Sequence, residues 1–348
     1  MNNEKKDLKE EIKKEFQPNE ITKEQKVSLR TRVISAIVAI AIIVPLIFVG
    51  NIPFFVAAIV LGGIGAWEIV RAAKTKYNPL LYIVAVVLVI LLAAIPTIKN
   101  ALTYDGSTPW NIYYNYDTLY VSATVVLVSA VLCFLLVIID KNFEVRDACY
   151  LFTFGIILGL GLQSVLFLRF YPLHEAYSIS GLEKNPTIDY GLSPCLLILV
   201  VGGSLMSDTG AYFTGMLFGK NKMNERISPK KTWEGFVGGV VFAMVFVLTF
   251  GLIMAGTGHP IIKAFDMDHW YFLLIVAALI PAVSQLGDFI FSSVKRYYGI
   301  KDFGKIMPGH GGVLDRVDSV LFASIVTSIL IIIFNTGITN SGWENLFV

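Results

Sequence analysis

Charged residues, cysteines and histidines are all scarce in this chain. Only 16% of its 348 residues are charged, whereas about a quarter are charged in a soluble globular domain. Hydrophobic residues make up 55% of the chain and the mean hydropathy is +0.68. This composition excludes an ordinary soluble domain. The formal net charge is only +2, and we expect no nucleic acid as a partner.

The few cysteines do not indicate a disulfide or metal framework. Cys133, Cys149 and Cys195 lie in or next to apolar runs, and no metal-ligand spacing links them. An odd number of cysteines in lipid-facing helices does not suggest disulfide pairing. We interpret all three as small packing residues.

Long apolar runs dominate the rest of the sequence. The hydrocarbon core of a bilayer is about 30 Å thick, so a spanning helix needs about 20 mostly apolar residues. The fold class is therefore predicted as all-α, a polytopic helical membrane protein with about nine transmembrane helices. The predicted spans are 33–49, 54–69, 80–98, 119–139, 148–170, 192–212, 236–254, 271–291 and 317–334. Only four residues separate the first two spans, which form either a tight helical hairpin or a pair with one re-entrant member.

Basic residues lie almost entirely on one side of the predicted membrane. Residues 1–32 are highly charged and lack the pattern of a cleaved signal peptide, so the N-terminus is predicted to stay in the cytoplasm. With nine spans, all but four of the 28 Lys and Arg residues face that side, the exceptions being Lys99, Arg169, Lys184 and Lys263. The positive-inside rule favours this orientation, which places the C-terminus outside.

The chain is predicted to form one membrane domain with two tails. Residues 1–32 form a charged cytoplasmic tail, 33–335 the helical transmembrane domain and 336–348 a short external tail. Within the membrane domain, an apolar front half (33–190) precedes a back half (191–335) that carries the polar motifs and is predicted to be catalytic.

The first polar motifs of the back half are an acid in a span and two lysines before a helix. Asp208 lies among apolar residues, and an ionised side chain near the bilayer centre costs at least ~2.5–3.5 kcal/mol, so it usually faces a partner or a wet cavity. Asp208 therefore either caps or bonds a helix, or belongs to a site. Ser228 and Pro229 are expected to fix a turn, and Lys230 and Lys231 follow. Cations ahead of a helix start suit an anionic phosphate, because free N–H groups and the helix dipole favour negative charge there.

The eighth predicted span carries a second polar series. Asp288, Ser292, and Lys295 or Arg296 recur every three or four residues, so they share one helical face. This series is either a salt bridge within the helix or one wall of a site.

A glycine-rich loop follows. Gly309, Gly311 and Gly312 permit positive φ and close backbone approach, as phosphate-binding loops require. Lys301 and His310 lie in the same loop. Neither a glycine-rich loop nor a lone histidine is specific by itself.

Two carboxylates open the last span. Asp315 and Asp318 are three residues apart, so they can point the same way from one helical turn. Two carboxylates at so short a distance repel each other unless a cation or proton lies between them. Mg²⁺ is commonly bound by one or two carboxylates plus substrate phosphates. Acids in a first helical turn also favour the dipole, but this alternative does not explain Asp288 at the same predicted membrane depth.

This arrangement resembles the phosphatidate cytidylyltransferases, also called CDP-diacylglycerol synthases. Their signature reads Ser-x-apolar-Lys-Arg, four residues, Lys-Asp-x-small, and then Pro-x-His-Gly-Gly-apolar-x-Asp-Arg-apolar-Asp. Here the blocks are residues 292–296, 301–304 and 308–318. Met307 departs from the usual Ile, Leu or Phe. Phe291 stands near a position where the family typically has an acid, so no role of that acid is carried over. The match covers roughly residues 204–319.

The resemblance implies transfer of CMP from CTP to phosphatidate, giving CDP-diacylglycerol and pyrophosphate in phospholipid biosynthesis. It implies a Mg²⁺ cofactor, and an active site on the cytoplasmic side of the plasma membrane. A second cation and a homodimer are left open. The implied catalytic residues are Asp288, Lys295, Arg296, Lys301, His310, Asp315, Arg316 and Asp318, of which Asp288, Asp315 and Asp318 would bind metal. The implied substrate-binding residues are Asp208, Ser228, Lys230, Lys231, Ser292, Gly311 and Gly312.

Three other functions would share parts of this pattern. A CTP-dependent polyprenol or phytol kinase would use similar chemistry but release CDP. A secondary transporter would place its buried charges near mid-membrane in both halves, whereas here they crowd at one face of the last four spans. A CDP-alcohol phosphotransferase would need a different Asp-rich motif, which the sequence does not contain.

Overall fold

The computed structural model describes residues 23–73, 79–102, 119–178, 193–309 and 311–339. This part of the chain contains nine α-helices, one short 3-10 turn and one two-stranded sheet. The helices are α1 (Lys23–Val49), α2 (Asn51–Ala72), α3 (Pro79–Leu102), α4 (Leu119–Ile139), α5 (Val145–Ser178), α6 (Cys195–Phe218), α7 (Trp233–Gly256), α8 (Trp270–Tyr297) and α9 (Leu314–Thr339). The strands are β1 (Lys222–Asn224) and β2 (Ser228–Thr232), and the 3-10 turn is Lys263–Phe265.

Most of these helices suit a membrane environment. Among the described residues, seven helices are long and apolar enough to cross a bilayer: α2 and α4 to α9. The apolar stretches in α1 (Ile34–Val49) and α3 (Leu80–Ala94) are shorter. Helices are expected because lipid offers no partner for backbone N–H and C=O groups, so a spanning segment must satisfy them internally. The structure therefore has the character of a multi-pass helical membrane protein.

The helices pack in two groups that meet at α5. Helices α2 to α5 contact one another, as do α6 to α9, and α5 also contacts α6 and α9. Buried Arg169 of α5 ties the end of α1 to this core. Its Nε donates to the carbonyl of Ile47 at 2.6 Å and its Nη1 to the hydroxyl of Ser193 at 2.8 Å. The last carbonyls of a helix lack intrahelical partners, and Arg169 supplies one.

Two helices extend further than the hydrophobic pattern predicts. The sequence predicts ends at residues 212 and 291, but α6 continues to Phe218 and α8 to Tyr297. The cations Lys295 and Arg296 lie in the last turn of α8, where positive charge is favourable to the helix dipole. Residues 292–296 are therefore helical, as the spacing of the polar series from Asp288 predicts, although they lie beyond the predicted end of the span.

The segment between α6 and α7 forms a β-hairpin that the sequence analysis did not predict. The strands are antiparallel, with Lys222 opposite Thr232 and Asn224 opposite Ser228. The expected turn at Ser228 is wrong, because this residue begins β2. The Asn224 side chain starts the turn instead. Its Oδ1 accepts the backbone N–H groups of Arg226 and Ile227 at 3.1 and 3.3 Å. Asn and Asp side chains commonly stabilise turns in this way.

Glycines allow α6 and α7 to approach closely. A Cβ atom added to Gly239 of α7 would lie 2.6 Å from the backbone oxygen of Ser207 and 2.6 Å from Nε2 of Gln285. The backbone atom belongs to the neighbouring helix and cannot rotate away. Close packing here also places the polar ends of α6, the hairpin, α7 and α8 side by side.

We expect Gly239→Ala to destabilise the protein by about 1–3 kcal/mol, the usual cost of overpacking. Gly256→Ala, at the end of the same helix, is the matched control, because a Cβ there meets nothing within 4 Å. Thermal unfolding in detergent should show a lower midpoint for Gly239→Ala alone. Equal midpoints for the two variants would contradict the packing described here.

Candidate active site

A cavity of about 420 Å³ opens where α6, the hairpin, α7 and α8 meet. Its walls carry two carboxylates, Asp208 and Asp288, and three lysines, Lys222, Lys230 and Lys231. The apolar part of the wall comes from Ala211, Tyr212, Met216, Met223 and Phe236. A mainly apolar hollow with a few convergent polar groups is the usual form of a small-molecule site.

An ion pair lies inside this cavity. Nζ of Lys231 is 2.7 Å from Oδ2 of Asp288, and the two side chains are 26% and 31% exposed. The hydroxyl of Ser292, one turn along α8, donates to Oδ1 of Asp288 at 3.1 Å. A partly exposed pair of this kind is only weakly stabilising. An anionic ligand can therefore draw Lys231 away, and a cation can take its place at Asp288.

The hairpin is fixed to the start of α7. Oγ1 of Thr232 accepts the backbone N–H of Gly235 at 3.1 Å and so caps the helix. Glu234 in the first turn accepts from the Asn221 side chain at 2.7 Å. The lysines of β2 consequently stand beside the N-terminus of a 24-residue helix, whose dipole also attracts anions.

Buried Asp315 organises the loop that joins α8 to α9. Its Oδ1 accepts from Nζ of Lys295 at 2.8 Å, and its Oδ2 accepts the backbone N–H groups of Phe303 and Gly312 at 2.8 and 3.0 Å. The Asp315 side chain is only 3% exposed. A Cβ on Gly311 (φ +90°) would lie 3.1 Å from its Oδ2, so a glycine is needed where the chain passes this carboxylate.

Charges from three helices lie within electrostatic range of one another. Asp208 of α6 interacts with Asp288, Lys231 and Arg316. Buried Asp318 of α9 interacts with Asp288, and also with Asp315 and Lys295; its Oδ1 accepts the backbone N–H of the following residue at 2.8 Å. Four carboxylates and three cations, one of them Lys231 of β2, thus lie within electrostatic range of one another.

These carboxylates suit a hard divalent cation whose remaining coordination positions are filled by oxygen atoms of a bound ligand. Within the described ranges, no three acidic, histidine or cysteine side chains are already grouped to hold a metal. Mg²⁺ does not require such a cage, since it is usually bound by one or two carboxylates plus phosphate oxygens. Asp288 and Asp318, which lie within electrostatic range of each other, could supply those carboxylates. Asp315 accepts three hydrogen bonds and has roughly four lone-pair sites, so its Oδ1 can still accept one contact.

Comparison with known proteins shows the family of the chain. The family model described as the Cytidylyltransferase family matches residues 30–334. The chain belongs to this family. It is 29% identical over 311 residues to the phosphatidate cytidylyltransferase of Bacillus subtilis (strain 168), covering 89% of this chain and the whole of that protein. It is 28% identical over 314 residues to that of Staphylococcus haemolyticus (strain JCSC1435), covering 87% of this chain and 99% of the relative.

The structure of this cytidylyltransferase brings many of the predicted site residues together. Asp208, Lys230, Lys231 and Asp288 line the cavity, and Ser292 contacts it through Asp288. Lys295, Asp315 and Asp318 form the neighbouring cluster, and Arg316 is exposed beside it. Gly311 and Gly312 lie in the loop around Asp315, with Gly311 bridged to Met307.

Other predicted residues lie elsewhere. Nε of Arg296 donates to the carbonyl of Ile227 at 3.2 Å, so this side chain holds the hairpin turn and lies outside the cavity. Ser228 pairs within the hairpin, and Lys301 is exposed on the loop. His310 lies outside the described residues.

One residue that the site depends on was missed in the sequence. Glu68 of α2 is 1% exposed, and its two oxygens accept the backbone N–H groups of Val313 and Leu314 at 3.1 and 2.8 Å. It therefore caps α9 from a different helix, and a Cβ on Gly312 would lie 2.6 Å from its Oε2. The available signal was the same as for Asp208: Glu68 is the single acid in an apolar span, and such residues usually have a partner.

We expect Glu68→Gln to loosen the loop between α8 and α9, because its amide group would face a backbone N–H donor. An unsatisfied buried donor costs about 1–3 kcal/mol. Tryptic cleavage after the exposed residues Lys301 and Lys305 should become faster, and turnover should fall.

The matched control is Glu144→Gln, which removes an acid whose side chain is 70% exposed. Cleavage rates at the loop should not change in this variant. A Glu68→Gln protein with wild-type cleavage and wild-type turnover would contradict the capping role.

Proposed function

We propose that this protein transfers CMP from CTP to phosphatidate, releasing pyrophosphate and forming CDP-diacylglycerol. The observation that carries the proposal is the Lys231–Asp288 ion pair in an open cavity beside a helix N-terminus. That pair offers a cation to phosphate and a carboxylate to metal within one site. The full-length similarity to proteins named phosphatidate cytidylyltransferases supports the choice of substrates.

The reaction is a displacement at phosphorus. A phosphate oxygen of phosphatidate attacks the α-phosphorus of CTP, the bond from that phosphorus to the bridging oxygen of the β-phosphate breaks, and pyrophosphate leaves. Such transfers depend mainly on positioning and on neutralising the phosphate charges. The site therefore needs cations and fixed N–H groups around the triphosphate more than it needs a protein nucleophile.

Lys230, Lys231 and the N-terminus of α7 bind the triphosphate in this proposal. Lys231 exchanges its contact with Asp288 for a phosphate oxygen. Arg316 and Lys301 extend the cationic surface toward the loop between α8 and α9. Lys295 acts through Asp315, whose position it fixes, and Asp208 keeps Lys231 directed into the cavity.

Magnesium would be held by Asp288 and Asp318, with the remaining lone pair of Asp315 as a third contact. When bound, the ion would neutralise developing charge on the phosphate oxygens. Ser292 supports this arrangement, since its hydroxyl donates to Oδ1 of Asp288 and orients the carboxylate. Side chains that hydrogen-bond a metal-binding carboxylate typically tune the affinity of a metal site.

The membrane placement follows from the same chemistry. The acyl chains of phosphatidate remain in lipid, so its headgroup must be met at the membrane surface where CTP is present. We propose nine crossings, with the N-terminus in the cytoplasm, the C-terminus outside and the cavity at the cytoplasmic surface of the plasma membrane. The division into a charged tail (1–32), a membrane domain (33–335) and a short tail (336–348) follows from this topology.

Products of the purified protein test the activity. With CTP labelled in the α-phosphate, phosphatidate vesicles and Mg²⁺, label should enter the lipid phase and pyrophosphate should appear. Release of CDP with an unlabelled lipid phase would instead identify a CTP-dependent kinase and overturn the proposal.

Asp288→Asn should lower CTP turnover by about 100-fold or more, in line with the loss of one preorganised electrostatic contact. Folding should be retained, because the amide preserves the shape of the side chain. Asp268→Asn is the matched control, since this exposed acid lies before the opposite end of α8.

Turnover at saturating Mg²⁺ should separate the two variants while their unfolding midpoints remain similar. Asp288→Asn with near-normal turnover would remove Asp288 from the proposed metal site.

A further inference from the structure

A second cavity, of about 600 Å³, lies behind the hairpin. Three arginines from separate elements line it: Arg146 from the first turn of α5, Arg226 from the hairpin turn and Arg296 from the last turn of α8. None of the described residues that line it is acidic, and none of them lines the cavity that contains Asp288. The strands of the hairpin line the first cavity and its turn lines the second, so the two hollows are separate.

The arginines retain donors for a ligand. Arg296 uses Nε for the carbonyl of Ile227 and Nη1 for that of Ile300, which leaves Nη2. Arg146 bonds the phenol of Tyr297 and lies 3.7 and 3.9 Å from two acids outside the cavity, so its charge is partly offset. For the Arg226 guanidinium, no hydrogen bond or ion pair occurs with other described residues. Guanidinium groups are well suited to phosphate, because their planar donors bind its oxygens in pairs.

The other walls indicate the kind of phosphate. Four aromatic side chains line the cavity: Tyr150, Phe154, Tyr297 and Tyr298. The first two belong to α5, the third ends α8 and the fourth directly follows it, and both helices are apolar enough to cross a bilayer. Tyrosine is enriched at the depth of lipid headgroups. Exposed Cys149 lies on the same wall, close to the start of α5. A free phosphate has no apolar part to pack against aromatic walls, whereas a lipid can pack its glycerol and upper acyl carbons against them.

We propose that this cavity binds the phosphate headgroup of an anionic membrane phospholipid, at a site separate from the nucleotide cavity. Arg226 and Arg146 contact the phosphate, and the aromatic wall contacts the glycerol region. The site lies against the hairpin turn that Arg296 holds at Ile227. Because β2 carries Lys230 and Lys231 into the other cavity, the occupied site steadies the strand that presents these lysines.

Alkylation of Cys149 reports occupancy without requiring turnover. The full-length protein is placed in phosphatidylcholine vesicles with or without phosphatidylglycerol, and N-ethylmaleimide modification of Cys149 is followed by peptide mass spectrometry. We expect phosphatidylglycerol to slow the modification. In Arg226→Gln, about fivefold more phosphatidylglycerol should be needed for the same protection, as expected for one cationic contact to an anionic lipid. Arg146→Gln should act in the same direction.

Lys141→Gln is the matched control, because it removes an exposed cation near the end of α4 without touching the cavity. This variant also controls for the lower pH at an anionic membrane surface, because that pH slows alkylation equally in every variant. Equal protection of wild type, Arg226→Gln and Arg146→Gln would overturn the proposal. So would protection by inorganic phosphate in pure phosphatidylcholine that phosphatidylglycerol does not increase, since it would identify a free phosphate as the ligand.

Discussion

The buried carboxylate of Asp315 is the constraint on which the loop between α8 and α9 and the helix ends around it depend. A lone charge that is only 3% exposed would cost several kcal/mol. It is tolerated because an ammonium group from α8 and two backbone N–H groups from the intervening loop all donate to it. Hydrogen bonds to a charged group contribute about 1.5–3 kcal/mol each. Satisfying this one side chain therefore fixes the end of α8, the loop and the start of α9 relative to one another.

Asp288, 27 positions earlier in the chain, carries the same type of charge in a different role. Asp288 is 31% exposed in an open cavity and is paired with a lysine that is also partly exposed. Solvent screens this pair, so little energy is lost when its members change partners. Asp315 is consequently suited to holding structure, and Asp288 to exchanging a protein cation for a ligand. Burial and the number of donors produce this division between two chemically identical residues.

The sequence predicts the helices and much of the cluster, for identifiable reasons. Lipid excludes unpaired backbone groups, so apolar runs report helices directly, and helical spacing correctly places Asp288 and Ser292 on one face. It does not distinguish Lys295 from Arg296. Adjacent residues on a helix point about 100° apart, and only the packing around α8 shows that Lys295 meets Asp315 while Arg296 meets the hairpin at Ile227. Glu68 was missed for a related reason: its partners are backbone groups 245 and 246 positions away, and backbone donors leave no residue pattern.

The position of Glu68 also changes the interpretation of the front half. In a bilayer, charged side chains are tolerated mainly where helices end, so a polar site must be assembled from helix termini contributed by several parts of the chain. Helix α2 supplies a cap to α9, and α5 supplies Arg146 to the cavity behind the hairpin. The front half is therefore a wall of the polar surface as well as a membrane anchor. A protein that retained only the motif-bearing back half would lose the acceptors that fix its own signature loop.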